Sequence, residues 1–414
     1  MEAPVSERRL VFLVGAIQFV NILDFMMVMP LGPDFAAGLG ISVDKLGYIG
    51  GSYTAAASVS GLIGALFLDR YDRRRALAVA MFGLFLGTLA GGFATSLATL
   101  MAARILAGAF GGPATSLSVS IIADVIPAER RGKALGAVAG AFSIASVLGV
   151  PAGLWLSRYG GWRTPFFAVA GVSLVVTTSA LFVLPPMRGH LARQGAEPNA
   201  TIFEIVRRPT VLLSQAMGAI LMVSGFLIVP NISAYVQHNL GYPRSALEQL
   251  YVVGGVLSFI ANRYIGRIVD RYGSFRVGTV GSALFILVVY VGFIDYRPVV
   301  PIVAIFVAFM LASSVRMVPY NTLATRVPAP RERARFMSIQ SAVQHLASAL
   351  GAFFSARLLR ALPDGRLEGV VTVSYLAIAF AATLPFFMWL VESRVRGGAT
   401  ALAAEPPVNE SPVA

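Results

Sequence analysis

The sequence predicts an all-α membrane protein: twelve transmembrane helices arranged as two pseudo-symmetric six-helix bundles. Three observations carry that prediction. Of 414 residues, 57% are hydrophobic and only 13% are charged, with a mean hydropathy of +0.74. A soluble domain carries about 25% charged residues. Twelve apolar stretches each reach the ~20 residues that a membrane crossing requires. Finally, Asp69-Arg70-Tyr71 returns as Asp270-Arg271-Tyr272, an offset of 201 that Pro127-Ala128 and Pro328-Ala329 also keep.

The same composition excludes a soluble enzyme, a disordered chain and a nucleic-acid-binding domain. The net charge of +13 would suggest nucleic acid in a soluble protein, but here the basic residues border apolar runs. Without cysteine there is no disulfide framework and no thiolate metal or redox site. The three histidines (190, 238 and 345) are scattered, and no Walker loop is present, so no cofactor, metal or enzymatic activity is expected.

Taken in order, the spans fall at 11–33, 46–68, 76–96, 98–124, 133–156 and 164–185. The second set falls at 211–236, 247–269, 276–295, 299–325, 335–360 and 370–391. The first is too long for a signal-peptide core and carries Gln18, Asn21 and Asp24, so it reads as a retained helix. The expected units are a bundle over 8–186, a linker over 187–209, a second bundle over 210–395 and a disordered tail over 396–414. An even number of spans puts both termini on one side. That side receives 22 of the Arg and Lys residues, the other side 8, and three lie within helices. The bias places both termini in the cytoplasm. A repeat of six helices returns the chain to the same side, so the two halves run parallel.

At this point the chain resembles the major facilitator superfamily of transporters, over roughly residues 8–395. The loop after the second span reads ALFLDRYDRRR (65–75), against a family pattern of GxLxDRxGRR; Ala65 and Asp72 replace its glycines. The second copy, GRIVDRYGSFR (266–276), keeps both. Arg104, Gly108 and Gly112 resemble the family's RxxxGxxxG. Gly149, Pro151 and Gly153 resemble its antiporter motif, with Val150 inserted. Asp24, Pro30 and Pro33 are similar to the pattern of drug/proton antiporters. The resemblance implies a monomer in a bacterial inner membrane that exchanges a small molecule for protons by alternating access. Arabinose-efflux-like and multidrug permeases are the nearest look-alikes. Proton-coupled uptake, facilitated diffusion and a non-transporting receptor remain alternatives.

Asp24 is the one acid deep in a span, and intramembrane carboxyls are costly and usually functional. Arg104 lies at comparable depth, so the two are expected to pair, with protonation or substrate breaking the pair. A permanent lock for Asp24 and an outward-snorkelling Arg104 are the alternatives. Gln18 and Asn21 share a side of the helix with Asp24. Arg316 and Tyr320 on one face, and Gln344 and His345 on another, are expected to line the substrate cavity, although His345 could instead bond a neighbouring helix. The resemblance further implies a gate. Asp69 would meet the start of the eleventh helix, and the arginines from Arg70 to Arg73 would meet Asp124. A weaker copy would use Asp270, Arg271 and Gly273, since Thr325 stands where Asp124 would repeat. Glycines at 83, 87 and 91, and at 132, 136 and 140, are spaced for close helix contacts.

Overall fold

The computed structural model describes residues 6–187, 202–329 and 332–404. Ten of its helices are long and apolar enough to cross a membrane. With Leu46–Phe67 and Arg333–Leu358 they make the twelve spans, labelled α1 to α12. In the first half these are α1 Glu7–Val28, α2 Leu46–Phe67, α3 Arg73–Gly92 and α4 Leu97–Val125. A broken helix, α5, follows from Ala128 to Gly160, and α6 is Thr164–Val183. The second half has α7 Pro209–Phe226, α8 Leu247–Tyr272, α9 Ser274–Val289 and α10 Ile302–Ala324. It closes with α11 Arg333–Leu358 and α12 Val370–Ala404.

Proline decides where the first span of each half ends. α1 stops at Val28, and a separate short helix, Gly32–Leu39, starts with Pro33 in its first turn. The single span expected over 11–33 is therefore broken. Pro30 and Pro33 lack the N–H that a continuous helix needs, and each disfavours helical geometry in the residue before it. In the second half α7 ends at Phe226, and Pro230 sits in a 3₁₀ turn, Val229–Asn231. Between Ile144 and Val150, α5 widens into a π-turn over Ala145–Gly149, two residues before Pro151. A π-turn spaces out the backbone pairing where the proline donor is missing.

Two helical stretches lie outside the expected bundles. The helix of α12 continues to Ala404, through a stretch read as the start of a disordered tail. An i,i+4 ion pair, Glu392–Arg396, bridges the change from apolar to polar sequence, and the alanines beyond favour helix. Residues 405–414 of that tail lie outside the described residues. Within the linker, Ile202–Val206 is helical, and 188–201 likewise lies outside them.

Glycine places α3 but not the start of α5. A Cβ on Gly87 would fall 2.4 Å from the Ala107 nitrogen, and Gly83 and Gly91 face the rings of Phe110 and Phe166. These three let α3 seat against α4 and α6. In α5, Gly136 and Gly140 have nothing within 4 Å, so they hold no close contact. Gly132 lies outside the described side chains. It is further along, at Gly149, that α5 meets α1: a Cβ there would lie 2.6 Å from Leu23, and one at Gly153 would lie 3.8 Å from Met27.

The core shows how the halves meet. One apolar cluster mixes residues of both, including Leu31, Phe35, Leu154, Ala234, Leu247 and Phe306, at the end away from the termini. A second is drawn wholly from the first half, and three more wholly from the second. α2 and α11 form the longest seam between the halves. The Ala352 carbonyl would lie 2.2 Å from a Cβ on Gly47, and Ser58 donates to the Ala342 carbonyl at 2.8 Å.

Candidate functional site

The densest polar network inside the membrane is built on Asp24. Arg104 grips it in bidentate fashion, Nη1 to Oδ1 at 3.0 Å and Nη2 to Oδ2 at 2.8 Å, and also reaches the Asp24 carbonyl at 3.3 Å. Asp24 is 0% exposed and Arg104 1%. Thr88 on α3 donates to Oδ1 at 2.6 Å. The guanidinium also lies over the ring of Tyr53, 4.7 Å from its centre. The planar fork of arginine suits both contacts at once, which a lysine ammonium would not.

The RxxxGxxxG pattern explains how Tyr53 reaches that position. A Cβ on Gly108 would lie 2.2 Å from the Tyr53 carbonyl, and one on Gly112 would lie 2.4 Å from that of Ala57. Only bare backbone lets α4 approach α2 so closely, and the approach puts the Tyr53 ring beneath Arg104. The Tyr53 hydroxyl donates to Asn21 Oδ1 at 2.7 Å. Asn21 Nδ2 donates in turn to the Gly111 carbonyl at 2.8 Å and to Thr115 at 2.6 Å. A continuous polar path thus joins α1, α2, α3 and α4. Gln18, one turn from Asn21, leaves its buried Oε1 without a hydrogen bond. Sequence reasoning missed Tyr53, Thr88 and Thr115. All three sit in apolar runs, and their partners lie on helices far away in sequence, so composition gives no signal for them.

In the second half the expected cavity residues divide. Tyr320 is fully buried, and its hydroxyl accepts from Gln340 Nε2 at 2.8 Å and from Gln344 Nε2 at 3.1 Å, which ties α10 to α11. Arg316 joins neither. It turns to α7 and α9, donating to Ser224 Oγ at 2.5 Å and lying 4.0 Å from the centre of the Phe285 ring. His345 is half-buried and makes no hydrogen bond among the described residues.

The loop motifs place some of their charges together. Arg73 Nε meets Asp124 Oδ2 at 3.1 Å, linking the start of α3 to the end of α4. Asp72, which replaces a motif glycine, caps α3 by accepting from the Arg74 N–H at 2.9 Å. In the second copy Gly273 has φ +87, a conformation that a side chain would strain. There Glu392 from α12 reaches across instead and accepts from the Phe275 N–H at 2.7 Å. Arg70, Asp270 and Arg271 are exposed, and Asp270 forms no ion pair among the described residues. The Asp69 side chain lies outside the described ones.

Four further charges, unforeseen as a group, bridge the halves at the end away from the termini. Arg244 in the α7–α8 loop holds Asp34 of the short helix, Nε to Oδ1 at 2.6 Å, and donates to Ser157 at 2.7 Å. Arg158 on α5 pairs with Glu248 at the start of α8. The partners are 210 and 90 residues apart in sequence, so only the folded halves reveal the pairing.

Twelve spans, a duplicated six-helix unit and buried charges between helices define a polytopic helical membrane protein. Residues 14–352 match the major facilitator superfamily, and the chain belongs to it. It is 26% identical over 301 residues to a "Chloramphenicol resistance protein" of Streptomyces lividans, covering 73% of this chain and 76% of that one. It is 28% identical over 265 residues to the "Inner membrane transport protein YdhP" of Escherichia coli K12, 63% of this chain and 65% of that one. A "Multidrug resistance protein 2" of Bacillus subtilis is 22% identical, with coverages of 67% and 71%. Among solved structures, an occupied, inward-facing bacterial homologue of the human lysosomal transporter Spinster superposes with a TM-score of 0.75 at 16% identity. That match covers 94% of this chain and 98% of the other. A D-xylose–proton symporter superposes at 0.74 and 17% identity, with coverages of 92% and 96%.

Proposed function

We propose that the protein is a proton-coupled exporter of a small molecule, working by alternating access as a monomer in a bacterial inner membrane. Both termini face the cytoplasm in this reading, in keeping with the arginine bias of the loops. The observation that carries the coupling is the Asp24–Arg104 pair, fully buried and held on one side by Thr88 and on the other by Tyr53. Protonation of Asp24 removes the charge that Arg104 grips, so the two states of the pair bind α1 and α4 differently. A ligand or proton shifts a conformational equilibrium only by such differential contact. Gln18, Asn21, Tyr320, Gln344 and His345 serve as polar groups of the substrate path. Arg73 and Asp124, with Asp69, Arg70, Asp270, Arg271 and Gly273 in the paired loops, govern the cytoplasmic closure. The Pro151 π-turn, flanked by Gly149 and Gly153, supplies the bend in α5. Export is favoured over uptake by the resistance proteins among the relatives.

Everted vesicles carrying the protein provide the test, with a fluorescent pH probe and a panel of compounds that includes chloramphenicol. A transported compound should release protons in the wild type and release none in Asp24→Asn, whose counterflow of labelled compound persists. Undiminished proton release in Asp24→Asn rejects the coupling role. Transport indifferent to the pH gradient indicates facilitated diffusion, and absence of counterflow from the wild type indicates a receptor.

A further inference from the structure

Among the described residues, two arginines lie fully buried in the membrane, and only one of them has a counter-ion. Arg104 is matched by Asp24. Arg316 is 1% exposed, donates one hydrogen bond to the neutral hydroxyl of Ser224, and leaves its Nε buried without a partner. No acid among the described residues pairs with it. The sequence explains why: the spans α7, α9, α10 and α11 contain no aspartate or glutamate at all. A buried cation is tolerated when it is paired, and an unpaired one costs several kcal/mol. In a transmembrane segment such a group marks a site rather than a scaffold.

The surroundings of Arg316 fit an oxyanion. The Phe285 ring covers one face of the guanidinium, 4.0 Å away, which fixes the plane of the fork and leaves its edge as the direction for a ligand. Ser224 holds one Nη, and the unpartnered Nε lies beside it on the fork. A Cβ on Gly281 would fall 3.0 Å from the Arg316 nitrogen, so α9 and α10 are pressed together here and the arginine cannot retreat between them. Arg316 stands 14 residues into the 23-residue α10, near mid-membrane, and Pro319 lies three residues on. That proline frees the Val315 carbonyl one turn back from its helix bond, a point where α10 can yield to admit a ligand.

We infer that Arg316 is an anion-recognition site, and that the transported solute carries an organic oxyanion, a carboxylate or a phosphate ester, which supplies the missing counter-charge. This assignment rests on the reading of the chain as a carrier of a small solute, but not on the proton role of Asp24.

Thermal unfolding of the full-length protein in lipid nanodiscs tests it. The probes are benzoate, salicylate, 2-oxoglutarate and phenyl phosphate, each beside a neutral counterpart such as benzamide. Sodium chloride and inorganic phosphate form separate arms. At least one organic anion should stabilise the wild type saturably while its neutral counterpart does not. Its apparent Kd should rise about tenfold or more in Arg316→Gln, the loss expected of a charge-assisted hydrogen bond. Ser224→Asp keeps the arginine and places a carboxylate on it, so that variant should unfold at or above the wild-type temperature and also lose the anion. The measurement uses no pH gradient and leaves Asp24 and Arg104 untouched, which separates failure here from failure of the coupling role. Anion binding unchanged in both Arg316→Gln and Ser224→Asp would overturn the assignment, as would a panel in which no organic anion binds. Stabilisation by chloride or inorganic phosphate alone would make Arg316 the seat of a resident ion and overturn the substrate assignment.

Discussion

Asp24 and Arg104 neutralise each other inside the bundle, and their substitution should show it. Arg104→Ala leaves a buried carboxylate unpaired and should destabilise the protein by about 3–5 kcal/mol. The double variant Asp24→Asn/Arg104→Gln removes both charges and should be less destabilised than Arg104→Ala, because the two effects are coupled. Thermal unfolding in one detergent compares them; a double variant as unstable as the sum of the singles would mean that the pair does not act as a unit. Thr88→Val removes one hydrogen bond to a charged group, an expected cost of about 1.5–3 kcal/mol in the same assay. Depth along the helix was enough to suggest this pair from sequence, because an acid and a base at similar depth in adjacent apolar spans have few other partners. The same reasoning put Arg316 and Tyr320 on one face of α10, and both do meet α7. Spacing of i and i+4 puts two residues on one helix face, but the contacts are made by whichever helix lies opposite each. Beyond α7, Arg316 meets α9 and Tyr320 meets α11.

Helix contacts separate glycines that look alike in sequence. Gly108 and Gly136 both belong to four-residue rows, yet a Cβ on the first would meet a carbonyl at 2.2 Å while the second faces open space. Gly108→Ala should therefore push α4 from α2, lift Arg104 off the Tyr53 ring and cost about 1–3 kcal/mol as an overpacked site. Gly136→Ala should be neutral or stabilise by about 0.4–1 kcal/mol, since it only restricts the unfolded chain. Unfolding midpoints of the two variants check the contrast, and equal effects would contradict the close approach of α4 and α2. The number and order of spans were legible because twenty-residue apolar runs have few other fates. Breaks inside spans were only partly legible. Pro30 and Pro33 announce one, but the π-turn at Ala145–Gly149 follows from how α5 accommodates Pro151 and packs Gly149 on Leu23. The cap supplied by Asp72 shows the converse. A departure from the motif's glycine reads as decay in sequence, but in the fold it does for α3 what Glu392 does for α9.

At the scale of the whole molecule, the halves are joined along the α2–α11 seam and, at the end away from the termini, by a mixed apolar cluster and by the Arg244–Asp34 and Arg158–Glu248 pairs. In the proposed alternating-access cycle this end separates, and these pairs break once in each turn. They are partly exposed, with arginine exposures of 26% and 38%, so each contributes modestly. Together they set the balance between the two states, because a bias of about 1 kcal/mol changes a population ratio roughly fivefold. The absence of native cysteine makes that balance measurable with one introduced thiol. Ala234 is fully buried in the mixed cluster, and Ala234→Cys adds a single small group there. A membrane-impermeant maleimide applied to intact cells should label this cysteine slowly. With Arg244→Gln and Arg158→Gln added, labelling should accelerate about fivefold or more. Everted vesicles give the orientation in the same experiment: with both termini cytoplasmic, the acceleration appears in intact cells and not in the vesicles. Acceleration in the vesicles instead would reverse the orientation. An unchanged rate in both would show that the two ion pairs do not hold this end shut.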